Sequence, residues 1–130
     1  MPVKVLICDD AVLYSTLLSS WFRDDPEIDV AGTVSTGADA LERAAELRPD
    51  VVLLDHLLSD AVSDELAPRL RERVPGVRIV LVSGLADDDL AEAAAAIGAE
   101  AWVRKASTQT AVRDALLRGA AGGREGDGAA

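Results

Sequence analysis

Four short apolar runs in this sequence lead into residues that can do chemistry. The run 3–8 opens onto the acidic pair Asp9 and Asp10, and the run 51–54 onto Asp55. The run 79–82 opens onto Ser83, and 101–103 leads past Arg104 to Lys105. If these runs are neighbouring strands of one sheet, three carboxylates, a hydroxyl and an amine converge. Carboxylates that close cannot all stay ionised without a counter-charge. A hard divalent cation supplies one, and Mg2+ prefers few carboxylates, other oxygen ligands and several waters. Asp10 and Asp55 are the expected direct ligands, with Asp9 acting through water and the Leu57 backbone carbonyl completing the protein's share. Such a cation would also neutralise an incoming phosphoryl group. Lys105 adds a second positive point charge, and Ser83 a hydroxyl donor. The expected chemistry is phosphoryl transfer onto a carboxylate nucleophile, Asp55.

The elements that must position these groups follow from hydrophobic periodicity. Strands are expected at 3–8, 28–33, 51–54, 79–82 and 101–103, and most are nearly continuous Val, Ile and Leu, as in strands covered on both faces. The run 28–33 is more mixed and suits an edge. Helical stripes lie between them. Leu13, Leu17 and Trp21 recur every four residues, with Leu18 and Phe22 alongside; Leu66, Leu70 and Val74 repeat the pattern. Leu90, Ala94 and Ile97, and then Val112, Ala115 and Leu116, make weaker stripes. Thr36 with Asp39 three residues on predicts a helix start, and Asp87 to Asp89 favour another through the helix dipole. Pro49, Pro75-Gly76, Gly98 and Gly119 sit where helices are expected to stop. Five strands alternating with five helices predict an α/β fold with a parallel sheet, whose chemistry gathers at the carboxyl ends of the strands.

Composition narrows the function classes. The chain has 130 residues, enough for one domain with its own core. Its formal net charge of −10 argues against non-specific binding to nucleic acid or an anionic membrane. The single Cys8 excludes an intrachain disulfide and any multi-cysteine zinc site. No apolar run reaches the roughly 20 residues of a membrane span, so a cytoplasmic location is expected. Residues 120–130, rich in Gly and Ala with scattered charge, read as a disordered tail after a single domain over 1–119.

Taken singly, each site residue admits a plainer reading. Asp9-Asp10 and Asp55 suit helix caps, Ser83-Gly84 a turn, and Lys105 a solvated surface. Their shared place at strand ends favours a site. Cys8 falls inside a strand and reads as core. His56, the only histidine, adjoins Asp55 but points the other way in an extended segment, and is expected to be a half-exposed bystander. No glycine-rich phosphate loop follows the first strand, which excludes dinucleotide-binding and P-loop readings.

Over roughly residues 3–118 the chain resembles the receiver domain of bacterial two-component response regulators. The pieces that carry the resemblance are the acidic pair of "VLICDD", the aspartate ending "RPDVVLLD", the hydroxyl of "IVLVSG" and the lysine ending "GAEAWVRK", in that order and at matching spacing. The resemblance implies a flavodoxin-like, doubly wound sheet of order 2-1-3-4-5 with five helices. It implies that Asp55 takes a phosphoryl group from a sensor histidine kinase or phosphotransfer protein. Asp9, Asp10 and Mg2+ would assist, and Lys105 and Ser83 would bind the phosphoryl oxygens. Ser83 and Trp102 correspond to the family's switch hydroxyl and switch aromatic. Beyond Mg2+-dependent self-phosphorylation and self-dephosphorylation no enzyme activity is implied. A downstream protein partner is implied, homodimerisation is left open, and neither nucleic-acid nor membrane binding by this chain is expected.

The chain departs from the family pattern after Asp55. In "DHLLSDAVSDEL", Ser59 and Ser63 stand at the usual Pro and Gly positions, and Pro68 is expected to delay or kink the next helix. "KAS" after the fifth strand resembles receivers followed by a helix-turn-helix output domain. Two other classes stay open. A pseudo-receiver would bind partners without phosphorylation, against which Asp10, Asp55 and Lys105 weigh. An aspartyl-nucleophile hydrolase would want a second Asp where Leu57 stands.

Overall fold

The computed structural model describes residues 1–122; of the tail expected at 120–130, residue 120 instead belongs to the last helix, and residues 123–130 lie outside the described residues. Ten elements alternate strictly: β1 (Val3–Cys8), α1 (Val12–Phe22), β2 (Ile28–Val34), α2 (Gly37–Leu47), β3 (Val51–Asp55), α3 (Ser63–Arg73), β4 (Arg78–Ser83), α4 (Asp87–Ile97), β5 (Ala101–Arg104) and α5 (Gln109–Ala120). The strands form one parallel sheet in the order β2-β1-β3-β4-β5. The flavodoxin-like order expected from the resemblance is therefore present, with β3 at the centre and β2 at an edge.

The continuous apolar runs are explained by two cores. Side chains alternate across a strand, so successive residues feed opposite layers. Val5, Ile7, Val51, Leu53, Val80, Val82, Ala101 and Val103 pack beneath α1 and α5 with Leu18, Phe22, Val112 and Leu116. Leu6, Cys8, Val52, Leu54, Ile79 and Leu81 pack on the other face with residues of α2, α3 and α4, including Leu41, Leu66, Leu70 and Leu90. Cys8 is a buried core residue as expected, and burial pushes its thiol up to about 12.

Three local expectations are corrected. On α1 the buried stripe is Ser15, Leu18 and Phe22, while Leu13 and Leu17 face solvent at 87% and 44% exposure. Both stripes of this helix are apolar, and only contact with the sheet selects one. Helix α3 starts at Ser63, five residues ahead of Pro68, and is not delayed. Pro68 sits on its exposed side, where the backbone hydrogen bond it forgoes lies next to water. Gly119 does not stop α5 but lies within it, because a Cβ there would come 2.5 Å from Val80 Cγ2. The close seating of α5 on β4 requires its absence. Thr36 caps α2 as expected, its hydroxyl accepting from the Asp39 N–H, and Gly98 ends α4 in the left-handed region. Among the described residues no helix is long and apolar enough to cross a membrane.

Candidate functional site

Strand alternation brings the charged groups together. Asp9 continues the Val5, Ile7 series, Asp55 the Val51, Leu53 series, and Lys105 the Ala101, Val103 series, so all three fall toward the α1 and α5 layer. Asp55 and Ser83 are the last residues of β3 and β4; Asp9 and Lys105 lie just past β1 and β5. Backbone bonds hold these ends in register: Asp9 N–H to Val34 O, His56 N–H to Val82 O, and Lys105 N–H to Ser83 O.

Lys105 lies between the two buried acids. Its Nζ is 2.9 and 3.0 Å from the two Asp9 carboxylate oxygens and 3.2 Å from Asp55 Oδ2. Asp9 Oδ1 also accepts the Ala11 N–H at 2.8 Å, which fixes the carboxylate at the start of α1. Asp9 and Asp55 are buried, while Asp10 is exposed. Oxygens of Asp9, Asp10 and Asp55 all lie within 4.8 Å of one another. Burial, and then the neighbouring Asp9, push the Asp55 carboxyl above its ordinary pKa; Lys105 opposes this only in part. Burial works against the Lys105 ammonium, yet its bonds to Asp9 and the charge of Asp55 outweigh it and raise its pKa. Three acids facing one ammonium leave a net negative pocket of hard oxygen donors, a set that fits Mg2+.

The segment after Asp55, where the chain departs from the family pattern, is tied down by this chain's own residues. His56 Nδ1 lies 2.7 Å from Ser63 Oγ, and the Ser63 N–H donates to His56 O at 2.9 Å. His56 is half-exposed and outside the acidic cluster, as expected, and its ring serves to close the loop. Leu57 and Val62 form an antiparallel bridge inside it, and Leu58 N–H donates to Ala61 O. Asp60 then reaches across to α2, accepting from the N–H groups of Gly37 at 2.8 Å and Ala38 at 3.2 Å. Those bonds hold its carboxyl below the ordinary range, the Gly37 bond contributing most. The loop carrying the Leu57 carbonyl is thus stitched to itself and anchored to a helix N-terminus.

Ser83 is buried, and its Oγ accepts the Leu85 N–H at 3.1 Å. Trp102 is half-buried on the face that Ser83 shares with Ile79 and Leu81, away from the α1 and α5 layer, where it packs against the α2 to α4 core and lines a cleft with Asp87, Arg104, Asp114 and Arg118. Sequence reasoning missed Tyr14, whose ring centroid lies 5.4 Å from Lys105 Nζ. Burial, followed by Asp9 and Asp55, pushes its hydroxyl up to about 12.

Comparison with known families settles what this arrangement belongs to. The family described as the response regulator receiver domain matches residues 5–117. The chain belongs to that family. Among curated relatives of this receiver, the response regulator protein VraR of Staphylococcus saprophyticus is 29% identical over 118 residues. That alignment covers 91% of this chain and 56% of the relative, so the chain spans about half the length of the curated relatives it matches. Among solved structures, the signal receiver domain of the response regulator NarL from Mycobacterium tuberculosis superposes with a TM-score of 0.84 at 28% identity, covering 93% of this chain and 98% of that one. A DNA-binding response regulator of the LuxR family from Staphylococcus aureus shares the fold alone, with a TM-score of 0.80 at 16% identity over 91% of this chain and 98% of that one. This chain is a receiver domain of two-component response regulators.

Proposed function

We propose that this receiver accepts a phosphoryl group on Asp55 from the phosphohistidine of a sensor histidine kinase or a phosphotransfer protein in the cytoplasm, and thereby changes its binding to a downstream protein. The observation that carries the reading is the Lys105 ammonium seated between Asp9 and Asp55 beside the open Asp10. An Asp55 carboxylate oxygen forms the new P–O bond as the donor's P–N bond breaks, and the imidazole nitrogen keeps the electron pair. Lys105 and the Ser83 hydroxyl receive the phosphoryl oxygens. Asp10, Asp55 and the Leu57 carbonyl would hold Mg2+ directly, with Asp9 acting through water. When bound, the ion neutralises the charge on the transferred group. Incubation with acetyl phosphate and Mg2+ should add one phosphoryl group by mass spectrometry. No incorporation would favour a receiver-shaped module that works without phosphate.

The loop ties make a second expectation. Asp60→Ala removes the anchor to α2 and should weaken Mg2+ affinity about tenfold by loosening the segment that carries the Leu57 carbonyl. Asp60→Asn keeps an acceptor and should retain most of it. Calorimetric titration with Mg2+ checks both, and equal affinity in all three proteins would show that the anchor is irrelevant to the ion.

Ser83 and Trp102 are the proposed switch pair. The cleft beside Trp102, between α4, β5 and α5, is the proposed partner face. Phosphorylation draws the Ser83 hydroxyl inward and frees space for the indole to turn. In a Trp21→Phe background, beryllofluoride with Mg2+ should change Trp102 fluorescence. A flat signal with binding confirmed by calorimetry would leave Trp102 as packing.

A further inference from the structure

Lys105 must serve two states of this site. Its ammonium is held by Asp9 and Asp55. Those carboxylates belong to the cluster that suits a divalent cation. Once a cation shares them, their pull on the ammonium weakens. A lysine ammonium sits on a flexible stem and is readily hydrated, and 26% of the Lys105 side chain already reaches solvent. Something else must keep it over Asp55.

The contact that a cation does not compete for is the face of Tyr14, 5.4 Å from Nζ to the ring centroid. An aromatic face attracts a cation through its quadrupole, more strongly when water is excluded. The ring is itself braced, since Tyr14 packs against the core beneath α1 and α5. Its hydroxyl is buried with no hydrogen-bond partner in the structure. The ring therefore carries the contact with Lys105.

We propose that Tyr14 is a positioning residue of the phosphoryl site, its ring holding the Lys105 ammonium in place for the phosphoryl oxygens when a divalent cation occupies the carboxylates. This rests on the phosphoacceptor reading above and adds to it a residue particular to the first helix. The ring acts through Lys105 and touches no reacting atom. Its loss therefore weakens capture of a phosphoryl group without weakening the cation.

The test compares the native chain, Tyr14→Phe and Tyr14→Leu, with Mg2+ alone and then with Mg2+ plus beryllofluoride as probes. Tyr14→Leu should bind beryllofluoride about fivefold more weakly. Its Mg2+ affinity should be unchanged or slightly tighter, because a looser ammonium competes less for Asp9 and Asp55. Tyr14→Phe should match the native protein. By NMR, the Lys105 side-chain methylene protons should be shifted upfield by the ring in the native and Phe proteins and not in the Leu variant. Equal beryllofluoride affinity in the Leu variant would overturn the proposal. So would parallel loss of Mg2+ affinity, which marks a general lesion, or a Phe variant as weak as Leu, which would assign the role to the hydroxyl. A native protein that binds Mg2+ but no beryllofluoride would overturn the phosphoacceptor reading itself.

Discussion

Asp55→Asn is expected to abolish phosphoryl incorporation from acetyl phosphate and, in the same protein, to raise thermal stability at neutral pH without divalent cation. The first effect follows from loss of the nucleophile, since no amide oxygen replaces a carboxylate in attack on phosphorus. The second follows from charge. Asp9 and Asp55 are both buried and share one ammonium. Burial, and then Asp9, raise the Asp55 carboxyl above its ordinary pKa. The folded chain therefore binds that proton more tightly than the unfolded chain does. Stability contributed by the protonated form is fully present below the ordinary aspartate range, near pH 4, and declines as pH rises through the raised folded value. Asparagine carries no such loss. Melting curves from pH 4 to 8 should show the native protein losing ground to the variant as pH rises, with Mg2+ closing the gap. Labelling of the variant at another residue would sink the acceptor assignment, and parallel curves would sink the electrostatic one.

Lys105→Ala should act in the opposite sense on the cation-free protein. It leaves Asp9 and Asp55 facing each other with no counter-charge. Breaking a fully buried pair costs 3–5 kcal/mol, but a quarter of this side chain reaches solvent, so about 2 kcal/mol is expected. Added Mg2+ should restore much of that stability by mass action, and with higher affinity than for the native chain, because the ammonium no longer competes. Phosphoryl uptake should nevertheless fall about 10²-fold, since a preorganised charge on the transferred group is gone. Denaturant unfolding with and without Mg2+, together with the rate of acetyl phosphate labelling, reads all three. A variant as stable as the native chain without Mg2+ would mean that the ammonium is not the internal counter-charge.

The strands, their order of appearance and the charged residues at their ends were legible in the sequence because each depends on a local signal. Continuous apolar runs such as 51–54 mark strands buried on both faces, and the residue that ends such a run must lie at the carboxyl end of the sheet, where the connecting loops leave. Alternation along the strand even places Asp9, Asp55 and Lys105 on one side. The family motifs supplied the strand order, which periodicity alone leaves open.

What the tertiary structure decided lies where two local patterns compete or where partners are distant. Helix α1 offers two apolar stripes, one with Leu13 and Leu17 and one with Leu18 and Phe22, and only docking on the sheet buries the second. The His56 to Ser63 clasp and the Asp60 bonds to the start of α2 join residues whose types carry no mark of their pairing. Gly119 looked like a helix stop because glycine favours both termini and close approaches, and the seating of α5 on Val80 selects the second use. Tyr14 stayed hidden for the same reason: a ring over an ammonium is set by how α1 lies beside β5, and no spacing along the chain encodes that distance. The sequence by itself determined which groups reach the strand ends, because strand geometry is local. How those groups are held there depends on packing between elements far apart in the chain.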